Sequence, residues 1–550
     1  MRTSPSVIII GAGLAGLSAG CFCQMNGFQS RIFEHHTVPG GVASYWARQG
    51  YHVDGGIHFL MGYRSGSSTY ELYRRLGIAP PSISVVDMPS YGRFWDEATG
   101  RTVTMAGGFE EMSAALKSLS PSSPGDARAI DRLFSGARAM SQASLMDFGF
   151  GRPPELTNPW DSLREMWRMR GLLPYLTGWR SRPVAEWAAE NIADPTLRWV
   201  VANLFLPEVP VWFVTMLLAL IPQGQIGLLA GGCQELVQAL ARRYRDLGGQ
   251  VTYRAKVAKI VVEGGRAVGV RLADGTEYLA DYVISAADGR STLYDMLEGR
   301  YLDARTRRRY ETWPLCRPFV LVSLGVDRQF AGEPTFQSVK LAQPLELPGT
   351  GGSLAAAGVE GPVTTEGAKR PPAISATESG AQSAGAFFVR ILNYGPGFAP
   401  PGKTLVQVEF ETDWDYWNDL RARDPDGYGA AKSRAAALAV EKLDVLYPGV
   451  AAQVEMVDVA TPYTLWRYTL NHRASFEGWL PTPRSIMTSL PRTVRGLRNF
   501  CLAGQWVVAG GSVPGCLWSG SHAAEIICRW ENRPFKTEKQ PHGNPHQSPR

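Results

Sequence analysis

The chain lacks any apolar run long enough to cross a bilayer. Its greasiest region, 199–221, is interrupted by Asn203, Pro207, Glu208 and Pro210. The unbroken part, 211–221, falls far short of the roughly 20 residues that a spanning helix needs. No A-x-A-like site follows the first apolar stretch, 7–10, so no signal peptide is expected. Cysteine is sparse and unpatterned: seven residues (21, 23, 233, 316, 501, 516 and 528), with no CxxC pair and no zinc-ligand spacing. This argues against a disulfide framework and a structural metal, and reduced thiols fit a cytoplasmic setting. An excess of one charge is also missing. Fifty-six basic against 50 acidic residues leave +6 over 550 residues, too little to make nucleic acid a default partner. No Ser-His-Asp, HExxH or paired-carboxylate signature is visible, and no GxxxxGK[ST] loop. What the chain does have is core material: 45% hydrophobic and 19% charged residues, enough length for two to four domains, and many turns from 59 Gly and 38 Pro.

The N-terminus carries the first chemistry. Ser6-Val7-Ile8-Ile9-Ile10 reads as a strand buried on both faces. Gly11-Ala12-Gly13-Leu14-Ala15-Gly16 follows, and then Leu17, Ala19, Phe22 and Met25 at helical spacing. In such a strand–turn–helix Gly11 permits the turn, Gly13 lets backbone approach a pyrophosphate, and Gly16 lets helix pack on strand. The helix start offers free N–H groups and a positive dipole end to phosphate. A second strand, 29–33, ends at Glu34, about 20 residues beyond the glycines, where an acid accepts ribose hydroxyls. Together these predict dinucleotide binding. Gly427-Tyr428-Gly429 is a decoy: no third glycine and no apolar strand frame it, and it opens a helix after a Pro-Asp-Gly turn.

Three segments go further and resemble the flavoprotein superfamily of amine oxidases and bacterial-type phytoene desaturases. After Glu34-His35 come Gly40-Gly41-Val42-Ala43 and Asp54-Gly55-Gly56-Ile57-His58. Gly231-Gly232-Cys233 starts a helix that leads into strands through Val257 and on to Ser285-Ala286-Ala287-Asp288. Asn499-Phe500-Cys501-Leu502-Ala503-Gly504-Gln505 precedes Gly510-Gly511-Ser512-Val513-Pro514-Gly515 and a last helix. The likeness covers the first 75 residues, roughly 220–300 and 460–530, and points to the phytoene desaturase, carotenoid isomerase and retinol saturase branch. It implies an α/β fold: a Rossmann-like FAD-binding domain of the glutathione reductase type, with a discontinuous α+β substrate domain and a helical cap. It implies FAD as cofactor, held by Gly11, Ala12, Gly13, Leu14, Ala15, Gly16, Glu34, His35, Gly41, Val42, Ala43, Gly56, Ile57, Val257, Ala286, Gly504, Gln505, Val513 and Pro514. Three positions depart from the pattern: Val42 where many relatives have Arg, Gln505 where many have an acid, and Ser512 where desaturases have Gly.

The expected division is FAD-binding domain at 1–100, 220–300 and 485–532, helical cap at 101–219, substrate domain at 301–484 with a flexible insertion at 348–385, and a disordered tail at 533–550. Within the cap Trp160, Trp167, Tyr175, Trp179 and Trp187 interleave with Arg164, Arg168, Arg170, Arg180 and Arg182. Trp with Arg suits a membrane interface, so peripheral docking is expected; the competing reading is core tryptophans and a solvated arginine face. Candidate reacting side chains, from segments expected near the flavin ring, are His58, Arg467, Tyr468 and Trp506. The resemblance implies an FAD-dependent oxidoreductase acting on a long hydrophobic, isoprenoid or carotenoid-like substrate by desaturation, saturation or cis–trans isomerisation; the electron acceptor stays open between oxygen and a quinone. Two alternatives stay open: a flavin amine oxidase, and a non-catalytic prenyl- or lipid-binding escort on the same frame.

Overall fold

The computed structural model describes residues 4–143, 145–147, 151–345 and 385–538. A five-stranded parallel sheet runs in the order Gln250–Thr252, Gln29–Phe33, Ser6–Ile10, Tyr282–Ser285 and Phe500–Leu502. Three stretches far apart in sequence therefore lie side by side. Ile9 pairs with Ile32 on one side and Ile284 on the other, and 7–10 are buried, as a two-faced β-branched strand demands. The helix Leu14–Met25 packs on this sheet and against the last helix, Val513–Trp530. Glycine makes that approach possible: a Cβ at Gly520 would overlap the Ala15 carbonyl, and one at Gly16 the Gly11 carbonyl.

Residues 250–263 form two elements in different sheets. Gln250–Thr252 joins the parallel sheet; the chain then turns through Arg254 at φ +56°, and Val257–Glu263 opens a three-stranded antiparallel sheet with Arg266–Leu272 and Glu277–Leu279. Val257 still packs in one cluster with Ile10 and Phe33, and Leu502 borders it.

A seven-stranded sheet follows the order Val454–Ala460, Phe319–Val326, Thr404–Glu411, Ala386–Leu392, Phe336–Lys340, Ser90–Asp96 and Arg101–Ala106. Its last two strands cross the boundary drawn at residue 100: 90–106 is a hairpin of this sheet, because its buried alternation (Phe94, Val103, Met105) needs a sheet edge to pair with. The helix Pro425–Leu446 covers one face through Ala431, Ala435, Ala439 and Leu443. Asp424 caps it at the Gly427 N–H, so the Gly-Tyr-Gly decoy lies inside a helix.

Five helices between Phe109 and Leu220 build a separate core around Ile130, Leu133, Phe134, Trp187, Val200 and Leu218. Trp187 is thus a core residue, not a membrane anchor, whereas Trp160 and Trp167 are 78% and 65% exposed. Among the described residues no helix is long and apolar enough to cross a membrane. The insertion at 348–385 lies, but for Gly385, outside the described residues, as does 539–550. The start of the expected tail is tied to the body of the protein at single points: Phe535 meets Phe22 at 5.6 Å, and the Lys536 N–H donates to Asn26.

Candidate functional site

Glu34, at the end of its strand, bridges two backbone segments. Oε2 accepts the Ala12 N–H at 2.6 Å and Oε1 the His36 N–H at 2.7 Å, and each oxygen keeps a second lone pair. Gly11 makes the turn at φ +94°, with its N–H on the Phe33 carbonyl at 2.8 Å. Beyond it the two glycine stretches face each other without side chains: a Cβ at Gly41, itself at φ +59°, would come within 3.3 Å of the Gly13 Cα. The helix starting at Leu14 has no side-chain cap and no acid in its first turn. Bare backbone and uncapped N–H groups fit an anionic diphosphate, and a side chain at Gly13 or Gly41 would fill that space.

The other cofactor segments close on the same region. The Ala286 N–H donates to Ile10 at 2.9 Å. Gly504, at φ +100°, donates its N–H to Ser519 Oγ at 2.7 Å. Ser512 holds φ +62° and ψ 153°, a region natural to glycine, and its Oγ caps the Gly515 N–H, which offsets part of the strain. Leu14, Val42, Ala43, Gly56 and Ile57 from the first segment, and Gln505, Val513 and Pro514 from the last, line one cavity of about 390 Å³. The same cavity continues between aromatic and apolar side chains that include Phe59, Tyr91, Trp199, Phe205, Phe213 and Phe388.

Charged groups line it as well. His58 meets Glu409, Nε2 to Oε1 at 3.0 Å, with Phe388 at 5.6 Å from its ring. Arg317 lies between Glu411 at 2.9 Å and Glu208 at 2.8 Å; burial pushes the Glu411 carboxyl up and Arg317 opposes it. Glu409 and Glu411 are alternate residues of Thr404–Glu411 and so share a face of the sheet. Paired carboxylates, which the sequence appeared to lack, therefore do reach the site. Glu477 completes the acidic set, and burial pushes its carboxyl up to about 8. None of Arg317, Glu409, Glu411 and Glu477 was among the expected site residues. The alternation Gln407, Glu409, Glu411 was the available signal, but it imitates a solvent face.

Of the four candidate reacting side chains, only His58 lines this cavity. Arg467 and Tyr468 sit on the helix Pro462–Thr469, which faces the Glu34 end: His35 Nε2 is 3.4 Å from the Arg467 carbonyl, and Tyr468, 44% exposed, packs edge-on to His36. Trp506 points the other way. Its indole N–H donates to Asn471 at 3.1 Å, and its ring packs on Trp479 and Tyr310 beside a separate, small cavity. Asp54 is an anchor: it accepts the Cys233 N–H at 2.7 Å and pairs with Arg390, which fixes the second cofactor segment to the first.

Comparison with known proteins agrees with this geometry. The family described as flavin containing amine oxidoreductase matches residues 14–293, just over half of the chain. Prolycopene isomerase of Arabidopsis thaliana is 22% identical over 94% of this chain and 82% of its own. A lycopene-forming phytoene desaturase of Pseudescherichia vulneris is 27% identical over 53% of this chain and 57% of its own. Among solved structures, an oxidoreductase from Methanosarcina mazei superposes with a TM-score of 0.59 at 16% identity, over 94% of this chain and 100% of that one. Putrescine oxidase superposes with a TM-score of 0.57 at 14% identity, over 96% and 99%. The chain belongs to the flavin containing amine oxidoreductase family and is an FAD-dependent oxidoreductase.

Proposed function

We propose that this oxidoreductase acts on the carbon–carbon double bonds of a long hydrophobic isoprenoid polyene. The observation that carries the reading is the continuity of the cavity: the strip assigned to the flavin ring (Val42, Ala43, Gly56, Ile57, Val513, Pro514) opens directly into an aromatic, apolar pocket. The glycine turn 11–16 with Gly41 would take the diphosphate, Glu34 the ribose, and His35 and Val257 the adenine end, in a glutathione-reductase-type arrangement with 90–106 reassigned to the substrate sheet. Ala286, Gly504 and Gln505 support the ring strip from the second and third segments. Bound FAD supplies the two-electron chemistry for adding or removing hydrogen across a carbon–carbon bond. The chain's own part is to exclude water with its aromatic walls, to orient the polyene, and to place His58 with Glu409 beside the reacting carbons. Prolycopene isomerase and phytoene desaturase among its relatives support isomerisation and desaturation over other chemistries.

One observation favours an amine oxidase: three carboxyls in the cavity wall. Glu409 and Glu411, however, are already held by His58 and Arg317, and burial keeps the third, Glu477, protonated at neutral pH, which among the described residues leaves no free anion in this wall for an ammonium group.

The substrate's solvent is a membrane in this reading. The helix Pro159–Met169 turns Trp160, Leu163, Met166 and Trp167 outward, and Arg170 lies over the Trp167 ring at 3.7 Å. Exposed indoles beside guanidiniums suit lipid headgroups. The test is incubation of the holoenzyme with phytoene and with prolycopene in phosphatidylcholine vesicles, with and without a quinone. A changed double-bond count or geometry supports the proposal. Peroxide release from amines, with both polyenes untouched, refutes it.

A further inference from the structure

We propose that Glu477 is the proton-transfer residue of the site, giving a proton to, and taking it from, a carbon of the substrate double bond. The proposal rests on the polyene reading above and adds a residue to it.

Four features of the structure place Glu477 in that role. It lines the cavity shared by the flavin strip and the apolar pocket. Its backbone is fixed on both sides: Ser475 Oγ donates to the Gly478 carbonyl at 2.7 Å, Gln505 Nε2 to the Ser475 carbonyl at 3.2 Å, and the Cys316 N–H to the Gly478 carbonyl at 2.9 Å. It abuts the last flavin turn, where a Cβ at Gly511 would fall 3.1 Å from the Glu477 Cα. Finally, its carboxyl has no hydrogen bond and no ion pair among the described residues, unlike Glu409 and Glu411. Cys316 and Cys516, the groups beside it, are thiols pushed up by burial, and among the described residues the two arginines of the cavity lining are already committed, Arg317 to Glu208 and Glu411 and Arg93 to Glu333. Burial, with no ion-pair partner among the described residues, holds this carboxyl up at about 8, so it stays protonated at neutral pH and keeps a proton to give.

The transfer balances as acid–base chemistry. The Glu477 O–H bond breaks, its electron pair stays on the carboxylate, a C–H bond forms from the π pair of the alkene, and the positive charge is left on the neighbouring carbon, spread along the conjugated polyene. The reverse step returns the proton and restores the double bond. In a net saturation or desaturation bound FAD would supply or take up the matching hydride.

Two measurements on the holoenzyme test this. The first is the reduction potential of the bound flavin against pH. It should change slope near pH 8 in the wild type and run straight through that region in Glu477→Gln. Identical curves overturn the proposal, because the carboxyl then does not titrate beside the ring. The second is turnover of prolycopene and phytoene, where Glu477→Gln should lose roughly 100-fold or more. Glu477→Asp should keep part of the rate and a shifted break in the potential curve, and it replaces the Gln variant if that one fails to fold. Full turnover by Glu477→Gln also overturns the proposal. If the wild type converts neither polyene, the substrate reading falls, while the potential curve still decides whether Glu477 titrates against the flavin.

Discussion

Asp54 and Arg390, 336 residues apart in sequence, form an ion pair at 3.4 Å with side chains only 3% and 2% exposed. Asp54 Oδ1 takes the Cys233 N–H, Gln407 donates to the Asp54 carbonyl, and Arg390 also donates to the Tyr394 hydroxyl. One pair therefore locks the first flavin segment to the second and both to the seven-stranded sheet. Burial pushes the Asp54 carboxyl up, and Arg390 with the Cys233 N–H pulls it back.

Removing one partner leaves a buried charge uncompensated. Arg390→Met should destabilise the protein by about 3–5 kcal/mol, and Asp54→Asn added to it should recover part of that loss. Urea unfolding of the two variants measures this. A cost below about 1 kcal/mol for the single change would mean that the pair does not hold the segments.

Glu477 gives stability its own pH dependence. Its carboxyl is raised from 4.5 to about 8 in the folded chain, so between those values the native state holds a proton that the unfolded state has released. The contribution is full below pH 4.5 and is lost as pH climbs through about 8. Glu477→Gln has no such proton to lose. At pH 9 it should be more stable than the wild type by roughly a few kcal/mol, with the gap closing at low pH. Denaturant midpoints across pH read this directly, and parallel curves for the two proteins would contradict it.

The exposed tryptophans make a separate prediction. Trp160→Ser with Trp167→Ser should abolish co-sedimentation with anionic vesicles at low salt while leaving the fold intact, because both rings are exposed. Wild-type protein that stays in the supernatant would end the docking proposal.

The parallel sheet was legible in the sequence because a β-branched run followed by glycines has few other uses. Ser6–Ile10, the helix at Leu14 and the strand ending at Glu34 stand where their pattern put them. The break between Thr252 and Val257 was hidden, since continuous apolar alternation does not show which sheet a strand joins. The charged wall of the cavity was hidden for a related reason. Gln407 is fully buried, yet alternation of Gln, Glu and Glu with Val and Phe reads as a solvent face unless something is known to cover it. Arg467 and Tyr468 were displaced because proximity along the chain to the last flavin motif says nothing of which way their short helix turns. Trp187 and Trp160 have the same neighbours in composition and opposite fates, because only the first lies on the packed side of its helix.

The central claim is that three distant segments close on one flavin dinucleotide, with its diphosphate on the bare backbone around Gly13. Flavin content per chain, measured on the purified wild type and on Gly13→Glu, tests it most directly. About one FAD per wild-type chain and none in the variant is the expected result, because a carboxylate would fill and repel the diphosphate space. A variant as yellow as the wild type would contradict the account.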